Sequence, residues 1–71
     1  MAKFKLGSWV KYDGPNPSLK QWFNNGMSVE DIVPNGVALG NGEVNNSGQD
    51  MYIVMHGYTR YHFLESELTQ A

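Results

Sequence analysis

Two histidines in the second half of the chain come nearest to carrying chemistry by their type and spacing. His56 and His62 stand six positions apart around Gly57. A tight turn at this glycine would put both histidines on paired strands, where their imidazoles could hold a metal ion or act as an acid/base pair. The alternative is that both are ordinary, half-exposed strand residues. The chain has no cysteine, which disfavours structural zinc, so we expect no metal and no cofactor.

Other catalytic arrangements find little support in the sequence. The carboxylates nearest to the two histidines along the chain are Asp50 and Glu65, and no Ser/His/Asp arrangement can be built from them. The segment 40–42, Gly-Asn-Gly, is too short for a phosphate-binding loop and no helical pattern follows it. We therefore expect no catalytic residues, and a protein that is not an enzyme.

The histidines belong to residues 51–63, which have the pattern of a β-hairpin. Tyr52, Ile53 and Val54 favour a strand, and Gly57 supplies the turn. After the turn, residues 59, 61 and 63 (Thr, Tyr, Phe) alternate with residues 58, 60 and 62 (Tyr, Arg, His) at the period of two that a half-buried strand requires. Residues 6–12 have the pattern of a first strand. Prolines and a glycine at 14–17 end it.

A short helix is predicted at residues 19–25, with Ser18 as its N-cap and Gly26 as its left-handed C-cap. Residues 27–33 are ambiguous, because Ser28 and Asp31 resemble a capping box whereas Val29, Ile32 and Val33 favour an extended segment.

The remaining chain is predicted to consist of short strands and turns. Residues 36–39 and 43–44 have the composition of strands, and three Asn-Gly pairs mark turns. We expect residues 64–68 to form one helical or 3₁₀ turn that lays Leu64 and Leu68 over the open end of a barrel. The predicted fold is mainly β, a small barrel of about five short strands with one short helix inserted in the first long loop.

The aromatic residues indicate a binding surface. Nine aromatics in 71 residues are more than one thin core easily holds. Alternation places Val10, Tyr12, Tyr61 and Phe63 inside and leaves a set rich in Trp, Tyr and Arg outside, the types enriched at binding hot spots. The predicted partner-binding residues are Trp9, Lys11, Trp22, Tyr58, Arg60 and His62. In the alternative, the insertion at 15–35 covers this face and Trp9 packs on Trp22 and Phe23 as a second small core.

Length and charge restrict the function further. A chain of 71 residues forms one domain, residues 1–71, in which 15–35 is an insertion. The net charge is −2, with +3 in residues 1–20 and −5 in residues 21–71, so a basic stripe for nucleic acid is disfavoured. The N-terminal residues lack the apolar run of a signal peptide or membrane span, and the absence of cysteine marks no oxidising compartment. We expect a cytoplasmic protein without membrane contact.

The order of these segments resembles the Src-homology-3-like (SH3-like) small barrel. Residues 7–10, Gly-Ser-Trp-Val, and 63–68, Phe-Leu-Glu-Ser-Glu-Leu, are similar to the start and end of small YodC-like proteins of bacterial and bacteriophage type. The resemblance covers the chain outside 15–35 and implies a fold rather than a function, because this barrel hosts unrelated activities.

The same barrel is similar to that of the plasmid-borne dihydrofolate reductases, which are tetramers around a shared pore. Their Val-Gln-Ile-Tyr pore motif is absent here, and the nearest stretch is 59–62, Thr-Arg-Tyr-His. An oligomeric oxidoreductase is therefore only a remote alternative.

These observations favour a non-enzymatic protein-binding module or small inhibitor of phage or mobile-element type, acting through the exposed aromatic face. The alternative is a nucleic-acid-binding barrel in which aromatics stack on bases while Lys11 and Arg60 contact phosphates. Five cations against seven carboxylates favour the protein partner. A homo-oligomer that uses the aromatic face on itself is compatible with the first hypothesis.

Overall fold

The computed structural model describes residues 3–71 and shows one sheet of five antiparallel strands. The strands are β1 (Trp9–Tyr12), β2 (Met27–Val33), β3 (Met51–His56), β4 (Thr59–Leu64) and β5 (Leu68–Gln70). A six-residue helix, α1 (Pro17–Trp22), joins β1 to β2, and a 3₁₀ turn (Glu65–Glu67) joins β4 to β5. The order β4-β3-β2-β1-β5 brings the last strand back beside the first. The predicted fold class, mainly β with five short strands and one short helix in the first long loop, is confirmed.

The hairpin predicted from alternation is β3 and β4. His56 pairs with Thr59, which leaves Gly57 and Tyr58 as a two-residue turn. Gly57 has φ of +64°, the left-handed value that the first central position of a type II′ turn requires and that a side chain resists. Because side chains alternate along a strand, Tyr52, Val54 and Phe63 all face the core.

The ambiguous segment 27–33 is a strand. β2 lies between β1 and β3 and pairs with both, so its backbone groups are satisfied by neighbours rather than by a helical turn. A bulge at Glu30 shifts the register, since Val29 faces Val54 while Asp31 faces Ile53. The Asp31 carboxylate accepts a hydrogen bond from the Ile32 N–H and does not cap a helix.

The helix begins earlier and ends earlier than predicted. Asn16, and not Ser18, is the N-cap, because its Oδ1 accepts hydrogen bonds from the N–H groups of Ser18 and Leu19. Pro17 occupies the first helical position, where its missing N–H costs nothing. Phe23, and not Gly26, is the C-cap, and Gly26 immediately precedes β2.

The strand count of five was right, but two members were assigned to the wrong segments. The predicted strands at 36–39 and 43–44 are reduced to a single bridge between Ala38 and Val44. The 3₁₀ turn predicted near the end is confirmed, but Leu68 leaves it to begin β5, whose Thr69 pairs with Lys11. Leu68 is buried by this pairing, whereas Leu64 is only half-buried.

One cluster of buried side chains holds the elements together. Each strand contributes to it, and Phe23 enters it from the end of α1. The cluster consists of Phe4, Val10, Tyr12, Phe23, Met27, Val29, Tyr52, Val54, Phe63 and Leu68.

Candidate functional site

Four of the six predicted binding residues lie on the outer face of the sheet. Trp9, Ser28, Met55 and Arg60 are aligned across β1 to β4 by direct cross-strand pairing. Trp9 and Arg60 are three strand spacings of ~4.8 Å apart, or roughly 14 Å. Lys11 and His62 share this face by alternation, and Tyr58 is fully exposed at the hairpin turn. Trp9, Lys11, Arg60 and His62 therefore share one exposed face of the sheet.

Trp9 is anchored on backbone rather than on other aromatics. Its indole lies over Gly26, where an added Cβ would overlap the ring, and its side chain remains 53% exposed. Phe23 is buried in the main core. The second small core of Trp9, Trp22 and Phe23, considered from the sequence, does not form.

Trp22 lies on the opposite side of the sheet from Trp9. Its ring is 6.5 Å from that of His56, and Phe23 contacts the same imidazole edge-on at 4.8 Å. His56 follows Val54 on the core-facing side of β3, so Trp22 covers the inner side near the hairpin turn. Trp22 is 64% exposed and belongs to a different surface from Trp9, Lys11 and Arg60.

The two histidines do not converge. His56 pairs with Thr59 whereas His62 pairs with Ile53, so their side chains point to opposite faces of the hairpin. The expectation that the two histidines lie near one another was wrong. His56 is in the first residue pair after the turn and His62 is in the fourth, so three pair spacings separate them along the hairpin. Within residues 3–71 no group of three or more His, Cys, Asp or Glu side chains is placed to hold a metal ion.

An apolar groove of about 380 Å³ runs between α1 and β4. Its aromatic floor is fixed by edge-on contacts of Phe23 with Tyr61 at 4.9 Å and with Phe63 at 5.3 Å. The lining residues are Ser18, Leu19, Trp22, Phe23, Tyr61, His62 and Phe63. Of these, only Trp22 and His62 were expected at a binding site from the sequence. The large number of aromatic residues was the feature of the sequence that could have indicated this groove. Alternation assigned Tyr61 and Phe63 to the core, but it could not show that α1 leaves open space beside them.

The groove borders an open strand edge. β4 pairs with β3 alone. His56 and Thr59 are the hydrogen-bonded pair that closes the two-residue turn, and hydrogen-bonded pairs alternate with non-bonded pairs along the hairpin. The backbone N–H and C=O groups of Arg60 and His62 therefore point away from β3. At Leu64 this edge is closed, because the Leu64 N–H donates to Glu67 Oε1 at 2.9 Å. The open part of the edge is therefore the part beside the groove.

β4 carries one cationic side chain, that of Arg60. The ion pair found in residues 3–71 joins Lys20 of α1 to Asp13 at 3.2 Å. Arg60 is exposed on β4, has no ionic partner in that part of the chain, and is the single Lys or Arg of residues 21–71. An acidic group at the β4 edge would meet an uncompensated cation.

Tyr52 is a buried titratable residue of the core, and its hydroxyl has a structural role. It accepts hydrogen bonds from the Lys3 and Phe4 N–H groups at 2.9 and 3.2 Å and donates to Glu65 Oε2 at 3.0 Å. Burial raises the pKa of Tyr52, and the adjacent Glu65 carboxylate raises this pKa further. The hydroxyl joins the N-terminal segment to the 3₁₀ turn, and these three hydrogen bonds use its one donor and both of its acceptor positions.

In the described part of the chain, no helix has the length and apolar character needed to cross a bilayer. Comparison of the chain with protein-family models, curated proteins and solved structures gives no match.

Proposed function

We propose that the protein is a non-enzymatic binding module that holds an extended segment of a partner protein along β4, with an apolar side chain in the groove. The observation that supports this function is the position of the groove directly beside the open backbone groups of Arg60 and His62. Adding a strand to an exposed edge supplies main-chain hydrogen bonds, and an adjoining pocket supplies specificity.

The register of β4 specifies the chemistry of the partner segment. A residue opposite Tyr61 would face inward over the groove, whereas residues opposite Arg60 and His62 would lie on the outer face. Because Arg60 is without an ionic partner in residues 3–71, we expect an acidic residue beside it. The preferred segment alternates apolar and acidic residues.

The groove volume limits what it can hold. About 380 Å³ is near the lower end of the roughly 300–1,000 Å³ of small-ligand pockets. One or two large apolar side chains fill such a space, and Leu19 and Trp22 of α1 form its far wall. Anchoring by a single side chain is the expected mode.

We also propose a family and a cellular compartment for the protein. We place the protein with small SH3-like barrel proteins of bacterial and bacteriophage type, of which the YodC-like proteins are an example, and in the cytoplasm. The return of β5 to β1 supports a barrel-like arrangement, and the absence of cysteine fits a reducing compartment. A small inhibitor of a host protein would act through the same groove and edge.

A library of extended peptides displayed on phage tests the function, because it requires no known partner. Binders selected on the wild-type protein are synthesised, and their affinities are measured for Trp22→Ala and Trp9→Ala. These two tryptophans are matched controls, since both are exposed but lie on opposite faces. We expect Trp22→Ala to weaken binding by about 1–3 kcal/mol, as truncation of an interface anchor does, and Trp9→Ala to leave it unchanged.

The same titrations separate the alternatives. N-methylation of the peptide backbone at alternate positions should abolish binding if the peptide adds to β4, since it removes the donors that reach the Arg60 and His62 carbonyls. Selected peptides that depend on Trp9, Lys11 and Tyr58 but not on Trp22 would transfer the site to the outer face. Failure to select any peptide, with tight and steeply salt-dependent binding of a single-stranded oligonucleotide, would favour the nucleic-acid function.

A further inference from the structure

The chain contains three Asn-Gly pairs, and the fold treats them differently. In such a pair the residue after asparagine has no side chain, so its backbone nitrogen can approach the asparagine amide carbon with little steric hindrance. We propose that Asn41 is a site of spontaneous covalent modification, whereas Asn25 and Asn35 are protected by the structure. The products are aspartate and isoaspartate at position 41.

The reaction needs only water as a co-reactant. The Gly42 backbone nitrogen loses its proton and attacks Cγ of Asn41, forming a new C–N bond. The bond from Cγ to the side-chain nitrogen breaks, and ammonia leaves with the transferred protons. Water then opens the resulting succinimide ring at either carbonyl, which gives aspartate or isoaspartate and adds one negative charge in place of a neutral amide.

The pair Asn35-Gly36 is protected at both reacting groups. Asn35 Oδ1 accepts a hydrogen bond from the Gly48 N–H at 2.9 Å, which holds the side-chain amide in place. The Gly36 N–H donates to the Asn45 carbonyl at 2.6 Å. The attacking nitrogen and the attacked amide are each held in another bond, so ring closure requires local opening first.

The pair Asn25-Gly26 is protected by packing. Gly26 is buried beneath the indole of Trp9, which occupies the space that a Cβ on this glycine would need. Moving the Gly26 nitrogen toward the Asn25 side chain would displace the indole. The close contact with Trp9 therefore opposes the backbone rearrangement that ring closure requires.

In the pair Asn41-Gly42, neither a hydrogen bond nor packing within residues 3–71 holds the attacking glycine nitrogen. Both residues are exposed, and the space around Gly40 and Gly42 is open. Asn41 Oδ1 accepts a hydrogen bond from the Glu43 N–H at 3.1 Å. Asn35 Oδ1 accepts a comparable bond from the Gly48 N–H, so the difference between these two pairs lies in the backbone nitrogen of the glycine. In residues 3–71 the Gly42 N–H has no hydrogen-bond acceptor that would withdraw it from the reaction.

Peptide mapping of the aged wild-type protein tests the assignment without any substitution. The folded protein is incubated in mildly alkaline buffer, and a second sample is incubated in concentrated urea. Cleavage after glutamate separates Asn25 from the fragment 31–43, and fragment-ion masses distinguish Asn35 from Asn41. We expect Asn41 to react at least about tenfold faster than the other two in the folded protein, and the three rates to approach one another in urea, where local protection is lost. Equal rates in the folded protein, or faster reaction at Asn25 or Asn35, would overturn the proposal.

Two variants test the causes. Asn41→Gln should remove the modification at position 41, because its longer side chain closes the ring poorly, and should leave the other two rates unchanged. Trp9→Ala should accelerate reaction at Asn25 and not at Asn41, since it uncovers Gly26 alone. An unchanged Asn25 rate in folded Trp9→Ala would contradict the protective role of the indole.

Discussion

Buried polar side chains show how single residues order the irregular parts of this protein. Asn45 is fully buried, and its Nδ2 donates to the carbonyls of Val33 and Gln49 at 2.8 and 2.9 Å. Its Oδ1 accepts from the backbone and side chain of Ser47. Because buried polar groups must be bonded, this one amide ties the loop between β2 and β3 to the end of β2.

Tyr52 makes a prediction about stability at alkaline pH. Its pKa is raised in the folded protein above the usual value near 10, so the folded state keeps a proton that the unfolded state loses. The stabilisation of the folded state by this raised pKa is therefore complete below about pH 10, and it is lost as the pH rises through the folded-state pKa. We expect the unfolding free energy of the wild type to fall more steeply above this pH than that of Tyr52→Phe, as measured by urea denaturation across the alkaline range.

Tyr58→Phe is the matched control, since Tyr58 is fully exposed at the turn and should keep the wild-type pH profile. Identical alkaline slopes for the wild type and Tyr52→Phe would contradict the assignment. At neutral pH, Tyr52→Phe is expected to cost about 1–3 kcal/mol, because the Lys3 and Phe4 N–H groups and Glu65 lose their partner.

At the scale of elements, the three-residue strand β5 has an influence beyond its length. It pairs with β1 through Val10, Lys11 and Tyr12, and its Leu68 is 3% exposed. The pairing is extended at both ends by bonds from the Asp13 N–H to the Glu67 carbonyl and from the Ala71 N–H to the Trp9 carbonyl. Without β5, the β1 edge and the core beside it would be open to water.

We therefore expect Leu68→Ala to destabilise the protein by about 2–5 kcal/mol, the range for truncating a buried leucine. Leu6→Ala is the control of identical chemistry, because Leu6 is exposed and should change stability by less than about 0.5 kcal/mol. Chemical denaturation followed by circular dichroism measures both. Similar losses for the two variants would show that β5 does not close the core.

On the scale of the whole molecule, one core spans nearly the entire chain. It extends from Phe4 to Leu68 and receives side chains from every strand. A domain of this size buries only roughly 60% of the surface of its unfolded chain. No element therefore has enough contacts of its own to stay folded when another is lost.

The prediction at this scale is a single cooperative unfolding transition. Far-ultraviolet circular dichroism should show mainly β structure, with a helical share well below about a third, and should melt together with the near-ultraviolet aromatic signal. Two separated transitions would instead show that α1 and the loop between β2 and β3 unfold apart from the sheet.

Local patterns in the sequence determined a large part of this structure. Alternation over 51–63 correctly placed Phe63 inside and Arg60 outside, and it placed Val10 and Trp9 on opposite faces of β1. The period of two is a property of the strand itself, so it needs no knowledge of the partner strand. The hairpin followed because its two strands are neighbours in the chain.

Tertiary structure alone decided the pairings between distant segments and, through them, the candidate site. Residues 27–33 became a strand because β1 and β3 bond to both of its edges, and 68–70 became one because β1, far away in sequence, offered an edge. Trp22 moved to the inner side of the sheet because Phe23, the next residue, is drawn into the core. A single sequence shows the secondary-structure propensity of each residue and the period of its hydrophobic pattern, but it does not show the free energy of contacts between remote residues. Those contacts place the groove beside β4.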